Sequence, residues 1–585
     1  MSNFIIKINS SQKIFDAEST GPKLNIGFKS ICKDNFDISY IETDLAKCDY
    51  YENENNFCFI KYSDITYRQK PERSKNDNCA KMAINHFEKH GCDFKDIKGD
   101  FSVFIYDKKQ KNYFLFSDHM RLSPIFYAEI ENTTLITSDL SLILEYPYFK
   151  KELNHDVIKH YLDLKTPCIR NTFYKGIKKI PPRNFLMITT KGVSFKPYKT
   201  LKVIQNINKF SIAKTINSFR DLFLKTVEDY SKSKKRVGLL FSGGLDSSSV
   251  LAALKHQRFK TKIFTYTARF DSLPEFEREK ISEEKYQDGC MEDSGMHSRF
   301  FDNTKITTLS RLDEYLKIFR QPFYFPNLSL NEESFKMAKK DEIEIIMSGM
   351  DGDSVISYGY EYLPHLFKRF SWIKLFSILR QIKQTHHISF FSTLKHYVLR
   401  PFLEEMKISF ENIFRNTDAL NFHSMHPSTF HTKVMEDALR YDAIEKLKLL
   451  GNHYNLSVSY PFYDEDLIDF CISVNPEFKI HNGYNRYVLR EAIRDLLPEK
   501  NYKRVTKSDL SFCFLYQMRE IDYEIIEYNF KSPSKHIKNY LDLDSLLKEW
   551  DSFKNSDSYS LDQQSISSRI FVFVCLNVWL KREFP

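Results

Sequence analysis

Two adjacent glycines, Gly243 and Gly244, separate a short apolar run from an acid and three serines: Val237-Gly-Leu-Leu-Phe-Ser-Gly-Gly-Leu-Asp-Ser-Ser-Ser. The run has the length and composition of a buried strand, and a helix is expected to open near Asp246. Glycines at such a junction let the backbone turn tightly and approach a ligand without a Cβ in the way. The helix start offers unpaired N–H groups and the positive end of the helix dipole. Ser242, Ser247 and Ser248 add hydroxyl donors, so Leu240, Phe241, Ser242, Gly243, Gly244, Leu245, Asp246, Ser247 and Ser248 read as an oxyanion cradle. Asp246 would repel phosphate there unless a cation lay between them, and magnesium binds carboxylate and phosphate oxygens together. A second strand-to-turn junction, Ile345-Ile-Met-Ser-Gly-Met-Asp-Gly-Asp, carries Ser348, Gly349 and Asp353. Two parallel strands ending this way bring Asp246 and Asp353 to the same end of a sheet, where open α/β sheets bind ligands.

The first junction lacks the GxxxxGK[ST] spacing of a Walker loop. It resembles the SGGxDS loop of the ATP pyrophosphatases, which release pyrophosphate and transfer AMP to a carboxylate or similar oxygen. The order of motifs is similar to that of the asparagine synthetase family, with SGxGxDE followed by a GGY-like segment. That resemblance implies ATP and Mg2+, with Asp246 and Asp353 on the metal. Ser348, Gly349 and Thr267, the last at the end of the strand 262–267, join the nucleotide-binding set. Three positions depart from the pattern. Met350 stands where synthetases carry glutamate and β-lactam synthetases tyrosine, Asp351 replaces a glycine, and Ser354 follows Asp353 where glutamate is frequent.

Further segments extend the likeness. Tyr460-Pro-Phe-Tyr-Asp resembles the family's PFLD segment, and Gly483-Tyr-Asn-Arg-Tyr-Val-Leu-Arg its GxxRxxLR helix. Lys503-Arg-Val-Thr-Lys-Ser resembles the segment with the catalytic lysine, which assigns that role to Lys507. A cation there could counter the charge that develops in acyl transfer. Arg504 either faces phosphate or pairs with a carboxylate. His423 and His426 read as ordinary helix-surface or loop histidines.

The first part of the chain resembles the glutaminase half of asparagine synthetases, through Gly99-Asp-Phe-Ser-Val-Phe-Ile-Tyr-Asp, Ser117-Asp-His-Met-Arg and Leu135-Ile-Thr-Ser-Asp-Leu. Those domains use an N-terminal cysteine whose free amine assists its own thiol. Here Ser2 follows Met1 and the first cysteine is Cys32. The expectation is a retained scaffold that takes no ammonia from glutamine. Relatives without that cysteine include β-lactam synthetases, carbapenam synthetases and lasso peptide cyclases. The run 504–507 and the overall length look most like the cyclases. The resemblance therefore implies adenylation of a peptide's side-chain carboxylate and closure on its N-terminal amine, with a leader-removing protease as partner. Two alternatives stay open: an ammonia- or amine-using synthetase for a small acid, and an inactive nucleotide-binding regulatory protein.

The elements that must position these residues fall into two regions. Residues 1–205 show short strands such as 57–62, 100–107, 113–117 and 134–138, with one helix near 78–89. They predict an α+β sandwich, of the Ntn-hydrolase-like αββα type if the resemblance holds. Residues 206–585 open with an amphipathic helix on Ile212, Ile216, Phe219, Phe223, Val227 and Tyr230. They continue with strands at 237–241, 262–267 and 344–348 separated by helices, which implies a parallel sheet. This is an α/β ATP-pyrophosphatase domain (adenine nucleotide α-hydrolase-like) with added helices. Residues 271–300 read as a mobile loop plus a short helix, and 360–450 as largely helical.

Composition agrees. Only 16 of 585 residues are glycine, against a background of about 7%, so clustered glycines carry meaning. The net charge of +9, from 86 basic and 77 acidic side chains, gives no dense basic run and no sign of nucleic acid binding. Ten scattered cysteines with no CxxC pair suggest neither disulfides nor zinc. The apolar run 570–580 is too short to span a bilayer and suits a buried helix. With no signal-peptide shape at the start, the expected setting is cytoplasmic, with no membrane insertion.

Overall fold

The computed structural model describes residues 3–9, 28–67, 77–165, 167–232, 234–257, 261–291, 296–403, 426–506, 508–556 and 561–585. The first part is a sandwich of two six-stranded antiparallel sheets. In chain order its strands are β1 (Phe4–Asn9), β2 (Lys29–Lys33), β3 (Phe36–Tyr40), β4 (Lys47–Glu52), β5 (Asn56–Tyr67) and β6 (Ile97–Asp107). They continue with β7 (Asn112–Ser117), β8 (Phe126–Ile130), β9 (Thr133–Thr137), β10 (Ile177–Lys179), β11 (Asn184–Thr189) and β12 (Gly192–Pro197). The sheet orders are β10-β8-β9-β1-β3-β2 and β12-β11-β7-β6-β5-β4.

The continuous apolar run on β5 has a physical cause. Phe57 and Phe59 point into the core between the sheets, with Phe4, Phe36 and Phe104. Cys58 and Ile60 point to the opposite face, under the helix Cys79–His90 with its Ala80, Ala83 and Ile84. A strand buried on both faces loses its alternation and reads as a block. The helix starts where Asn78 accepts from the Lys81 amide at 2.9 Å, a side-chain N-cap. Helices also cover the outer face of the other sheet, which gives the helix–sheet–sheet–helix layering.

The second part is built on a parallel five-stranded sheet: β13 (Arg236–Leu240), β14 (Lys262–Arg269), β15 (Met296–Asp302), β16 (Ile345–Ser348) and β17 (Ser457–Ser459), in the order β15-β14-β13-β16-β17. The amphipathic helix is Ile212–Ser231, with Phe219, Phe223 and Val227 fully buried. The stretch 271–300 needs correction. Instead of a mobile loop with one helix, it holds the helices Glu275–Ile281 and Glu284–Met291 and most of β15. β15 is an edge strand with no buried residue in its pattern, so it carries no apolar alternation to read. β17 has three residues and left no signal either. Between 360 and 450 the described residues are largely helical. The run 570–580 lies inside the helix Leu561–Glu583, buried from Ile570 to Leu576. All ten cysteines are free. Among the described residues no helix is long and apolar enough to cross a membrane.

The two parts meet through buried charges. Lys179 Nζ lies 3.0 Å from both carboxylate oxygens of Glu445, with Arg121 at 3.3 Å and Lys446 at 3.1 Å. Nearby, Lys448 pairs with Asp100 at 2.9 Å, and His119 Nε2 lies 2.9 Å from Glu465.

Candidate active site

β13 is buried because it sits at the centre of the sheet, paired in parallel with β14 and β16. The chain leaves it through a turn in which Gly243 has φ +84°. A Cβ at Gly243 would lie 2.8 Å from Gln287 Cγ, and the Gln287 side-chain amide donates to the Ser242 carbonyl at 3.0 Å. Gly244 then caps the helix Leu245–His256, with no side-chain cap on its first amides. A helix start without a side-chain cap is a place where backbone amides can receive an external acceptor. Ser247 Oγ donates to the Gly244 carbonyl at 3.2 Å and sits 3.1 Å from Ser242 Oγ, which accepts from the Gly244 amide at 3.2 Å.

The second turn touches the first. Leu240 and Ser348 are partners in the sheet register. Gly349 lies so close that an added Cβ would be 2.6 Å from the Ser247 amide nitrogen. One at Gly352 would be 2.9 Å from Asp246 Cβ, Cγ and Oδ1. Asp353 accepts from the Tyr358 hydroxyl at 2.8 Å and from the Ser354 amide at 2.9 Å. Asp351, at the position where the resemblance expects glycine, takes a left-handed φ of +63°. It is held there by Arg440, by the Tyr463 hydroxyl at 2.8 Å and by Ser354 Oγ at 2.9 Å.

Arg486 joins the two aspartates. Its Nη1 reaches both oxygens of Asp246, and its guanidinium lies 5.1 Å over the Tyr358 ring. Burial opposes the charge, yet Asp246, Tyr358 and Asp353 together keep its pKa above the ordinary arginine value.

These turns open onto a cavity of about 330 Å³. Leu240, Phe241, Ser242, Gly244, Leu245, Asp246, Ser247, Ser348, Gly349, Asp353 and Arg504 lie on its wall. Gly243, Ser248 and Thr267 do not. Gly243 is pressed against Gln287, Ser248 Oγ faces inward to the Cys290 thiol at 3.8 Å, and Thr267 is fully buried in β14. Arg504 is buried and pairs with Glu283 at 2.7 Å, stacked on Tyr286 at 4.1 Å. It thus meets a carboxylate while also lining the cavity. Lys507 lies outside the described residues, as does His423, while Thr506 and Ser508 are on the wall. Met350 also lines it, with a thioether that can carry no proton. His426 is exposed and accepts from the Ser428 amide at 3.3 Å as a helix cap.

Sequence reasoning left Arg486 without a role, although it stands in the quoted 483–490 segment. It also missed Gln287, Tyr358, and Arg269 and Arg278 on the wall. Arg486 is 240 residues from its partner Asp246, a pairing that only the fold reveals.

Asp246, bound through both oxygens by Arg486, and Asp353, bound by the Tyr358 hydroxyl and the Ser354 amide, are carboxylates of the kind that would hold magnesium together with phosphate and water. Among the described residues no group of three or more His, Cys, Asp or Glu side chains could hold a metal by itself.

A second cavity of about 280 Å³ adjoins the first, and Asp353 lines both. Its wall is mostly aromatic. Tyr358 and Tyr360 stack at 5.9 Å, Tyr360 and Tyr397 at 4.2 Å, and Phe430 closes one side.

An antiparallel sandwich fused to a parallel sheet with two touching Ser-Gly turns defines a glutaminase-like half joined to an ATP-pyrophosphatase half. Residues 218–581 match the asparagine synthase family model and residues 62–199 that of the glutamine amidotransferase domain; the chain belongs to the asparagine synthase family. It is similar to asparagine synthetase [glutamine-hydrolyzing] 3 of Bacillus subtilis (strain 168), 22% identical over 69% of this chain and 66% of that protein. A putative asparagine synthetase 2 of Methanocaldococcus jannaschii is 24% identical over 49% and 54%. The microcin J25-processing protein McjC of Escherichia coli is 25% identical over 28% and 29%. The chain thus spans two thirds or less of the length of each of these relatives.

Proposed function

We propose that the chain is an ATP-dependent, AMP-forming carbon–nitrogen ligase that closes an amide within a peptide, joining a side-chain carboxylate to the N-terminal amine as a macrolactam. The observation that carries this reading is the pair of cavities meeting at Asp353, one lined by the glycine turns and arginines, the other by aromatic rings. The likeness to a microcin-processing protein supports a peptide substrate.

In this reading residues 206–585 are the synthetase domain. The amides and hydroxyls of Ser242, Gly244, Leu245, Asp246 and Ser247 hold the phosphates, and Ser348 and Gly349 position the nucleotide. Asp246 and Asp353 would hold a magnesium ion, whose charge offsets that of the phosphates. A substrate carboxylate oxygen attacks the α-phosphorus, the bond to the β-phosphate oxygen breaks, and pyrophosphate leaves. The amine nitrogen then attacks the acyl carbon, AMP leaves with the bonding electron pair, and the amine gives up a proton. Lys507 counters the oxyanion, and Arg504 and Arg486 counter phosphate charge.

Residues 1–205 act as a scaffold without glutaminase activity. Lys448 of the second part occupies Asp100 of the first, and burial pushes the Cys48 thiol up to about 12 and that of Cys92 to about 11, away from nucleophilic thiolate. The peptide's free amine would be supplied by a leader-removing protease in the same reducing, cytoplasmic setting.

Incubation with candidate peptide and ATP should give AMP and a product lighter by one water. Carboxylate-dependent ATP–pyrophosphate exchange without peptide cyclisation would favour the second reading, an amine-using ligase for a small acid, which the longer matches to asparagine synthetases support. Absence of any AMP would leave the nucleotide-binding regulator.

A further inference from the structure

We propose that the second cavity is a cation site that binds the amine-bearing end of the substrate as an ammonium ion, with Glu361 as its counter-charge. The inference rests on the amide-forming reading in expecting an amine at all, and deepens it by assigning the two reacting groups to separate cavities.

Cations, not carboxylates, distinguish the two spaces. The first cavity carries Arg269, Arg278, Arg486 and Arg504 on its wall beside Asp246, Glu283, Glu284, Asp351 and Asp353, so it has fixed positive charge with which to receive phosphate or carboxylate. The second has no lysine or arginine on its wall, and its carboxylates are Asp353 and Glu361. A substrate carboxylate would be repelled there. Glu361 is half-buried, and its Oε1 accepts from the Ser357 hydroxyl at 2.6 Å, which fixes the group and leaves Oε2 for a ligand. Buried Lys479 feels the Glu361 charge, but its Nζ makes its hydrogen bond, at 2.7 Å, to His431 Nδ1, and His431 Nε2 donates to the Ser354 carbonyl at 2.9 Å. Burial keeps this histidine neutral, its pKa well below the ordinary range, so it adds no positive charge to the wall. His396 is the other titratable group on the wall besides the tyrosines.

The aromatic faces complete the recognition. Tyr358, Tyr360 and Tyr397 form a stacked series beside Glu361, and Phe430 stands on the same wall. Ring faces attract an ammonium group, more strongly as it is desolvated. A carboxylate among aromatic rings therefore selects a primary ammonium over a neutral group of equal size.

The test uses the full-length protein with n-hexylamine, protonated at neutral pH, and n-hexanol as its neutral isostere, both titrated by ligand-observed NMR in the presence of Mg-ATP. The wild type should bind the ammonium at least about tenfold more tightly than the alcohol. Glu361→Gln should lose that preference while binding hexanol and Mg-ATP as before. Tyr360→Leu should weaken the ammonium more than the alcohol. Equal binding of both probes by the wild type, or an unchanged preference in Glu361→Gln, would overturn the assignment. If ammonium selectivity persists while no carboxylate supports pyrophosphate exchange, the amide-forming reading fails and the cation site stands.

Discussion

One guanidinium nitrogen of Arg486 lies 2.9 Å from one carboxylate oxygen of Asp246 and 3.0 Å from the other. Both residues are largely buried at the meeting of the two glycine turns, and Arg486 caps its helix in a left-handed conformation with φ +49°. A non-glycine residue held there carries strain that its surroundings must offset. On the proposed reading the pair places a cation where phosphate charge would develop.

Arg486→Lys tests this. A lysine keeps the charge but loses the fork that spans both oxygens and the stacking on Tyr358. Carboxylate-dependent ATP–pyrophosphate exchange should fall about 10²-fold, the order seen when one preorganised charge-stabilising donor is lost. The thermal midpoint should move little. Asp246→Asn should abolish exchange outright, and normal exchange in that variant would sink the metal assignment.

The Glu445 cluster ties the sandwich to the parallel-sheet half. Burial opposes its charge, yet Lys179, Lys446 and Arg121 hold its carboxylate well below the ordinary range. Removing one member of a buried charge group leaves the others uncompensated and costs about 3–5 kcal/mol. Glu445→Ala should lower the unfolding midpoint and expose the junction to limited proteolysis. Glu445→Ala combined with Lys179→Met should recover part of the loss, because one stranded cation is gone.

Asp522 gives a pH signature. Burial pushes its carboxyl up to about 7, against the pull of the Thr307 hydroxyl, which donates to it at 2.6 Å. Between roughly pH 4 and pH 7 the folded state keeps a proton that the unfolded chain has released, so this group's contribution declines as pH rises through that window and is level above it. Asp522→Asn removes the slope and should stabilise the protein at pH 8 by up to about 4 kcal/mol relative to the wild type. Paired unfolding curves at pH 5 and pH 8 read the difference directly. A variant with the wild-type slope would show that Asp522 does not titrate in this range.

How much of this was legible in the sequence depends on the range of the interaction that fixes each feature. The turn at Gly243 and Gly244 was readable because strand, turn and helix lie within a dozen residues and each leaves a local mark. The helix at 79–90 was readable as a single helical stretch near 78–89, and its Asn78 cap is a finding of the fold. β15 was not, because an edge strand bearing His297, Arg299 and Asp302 needs no apolar alternation. Arg486 was visible as part of a motif, but its contact with Asp246 is set by the packing of distant elements. Ser248 and Thr267 were grouped with the nucleotide because they sit beside cradle residues. The helix and strand periods turn their side chains away from the cavity.

Gly349 offers the sharpest separation of site from fold. It lies at the end of β16, outside the left-handed positions, so an alanine meets no backbone penalty of its own. The obstacle is contact. Its Cβ would stand 2.6 Å from the Ser247 nitrogen and 2.8 Å from the Asp246 carbonyl carbon, and both are backbone atoms that no rotamer can move. The two turns must part by several tenths of an ångström, which carries Asp246 away from Asp353 and opens the cradle. Gly349→Ala should therefore reduce pyrophosphate exchange by about 10²-fold through misplacement alone, with a loss of stability of about 1–3 kcal/mol from overpacking. Gly238→Ala serves as the control. That site is also tight, though less so, at 3.1 Å from side-chain atoms of Ile343 and Tyr266, so it should destabilise without a comparable loss of exchange per folded molecule. If both variants lose exchange only in proportion to their folded fraction, the close approach of the two turns is a packing feature and not the device that sets the aspartates.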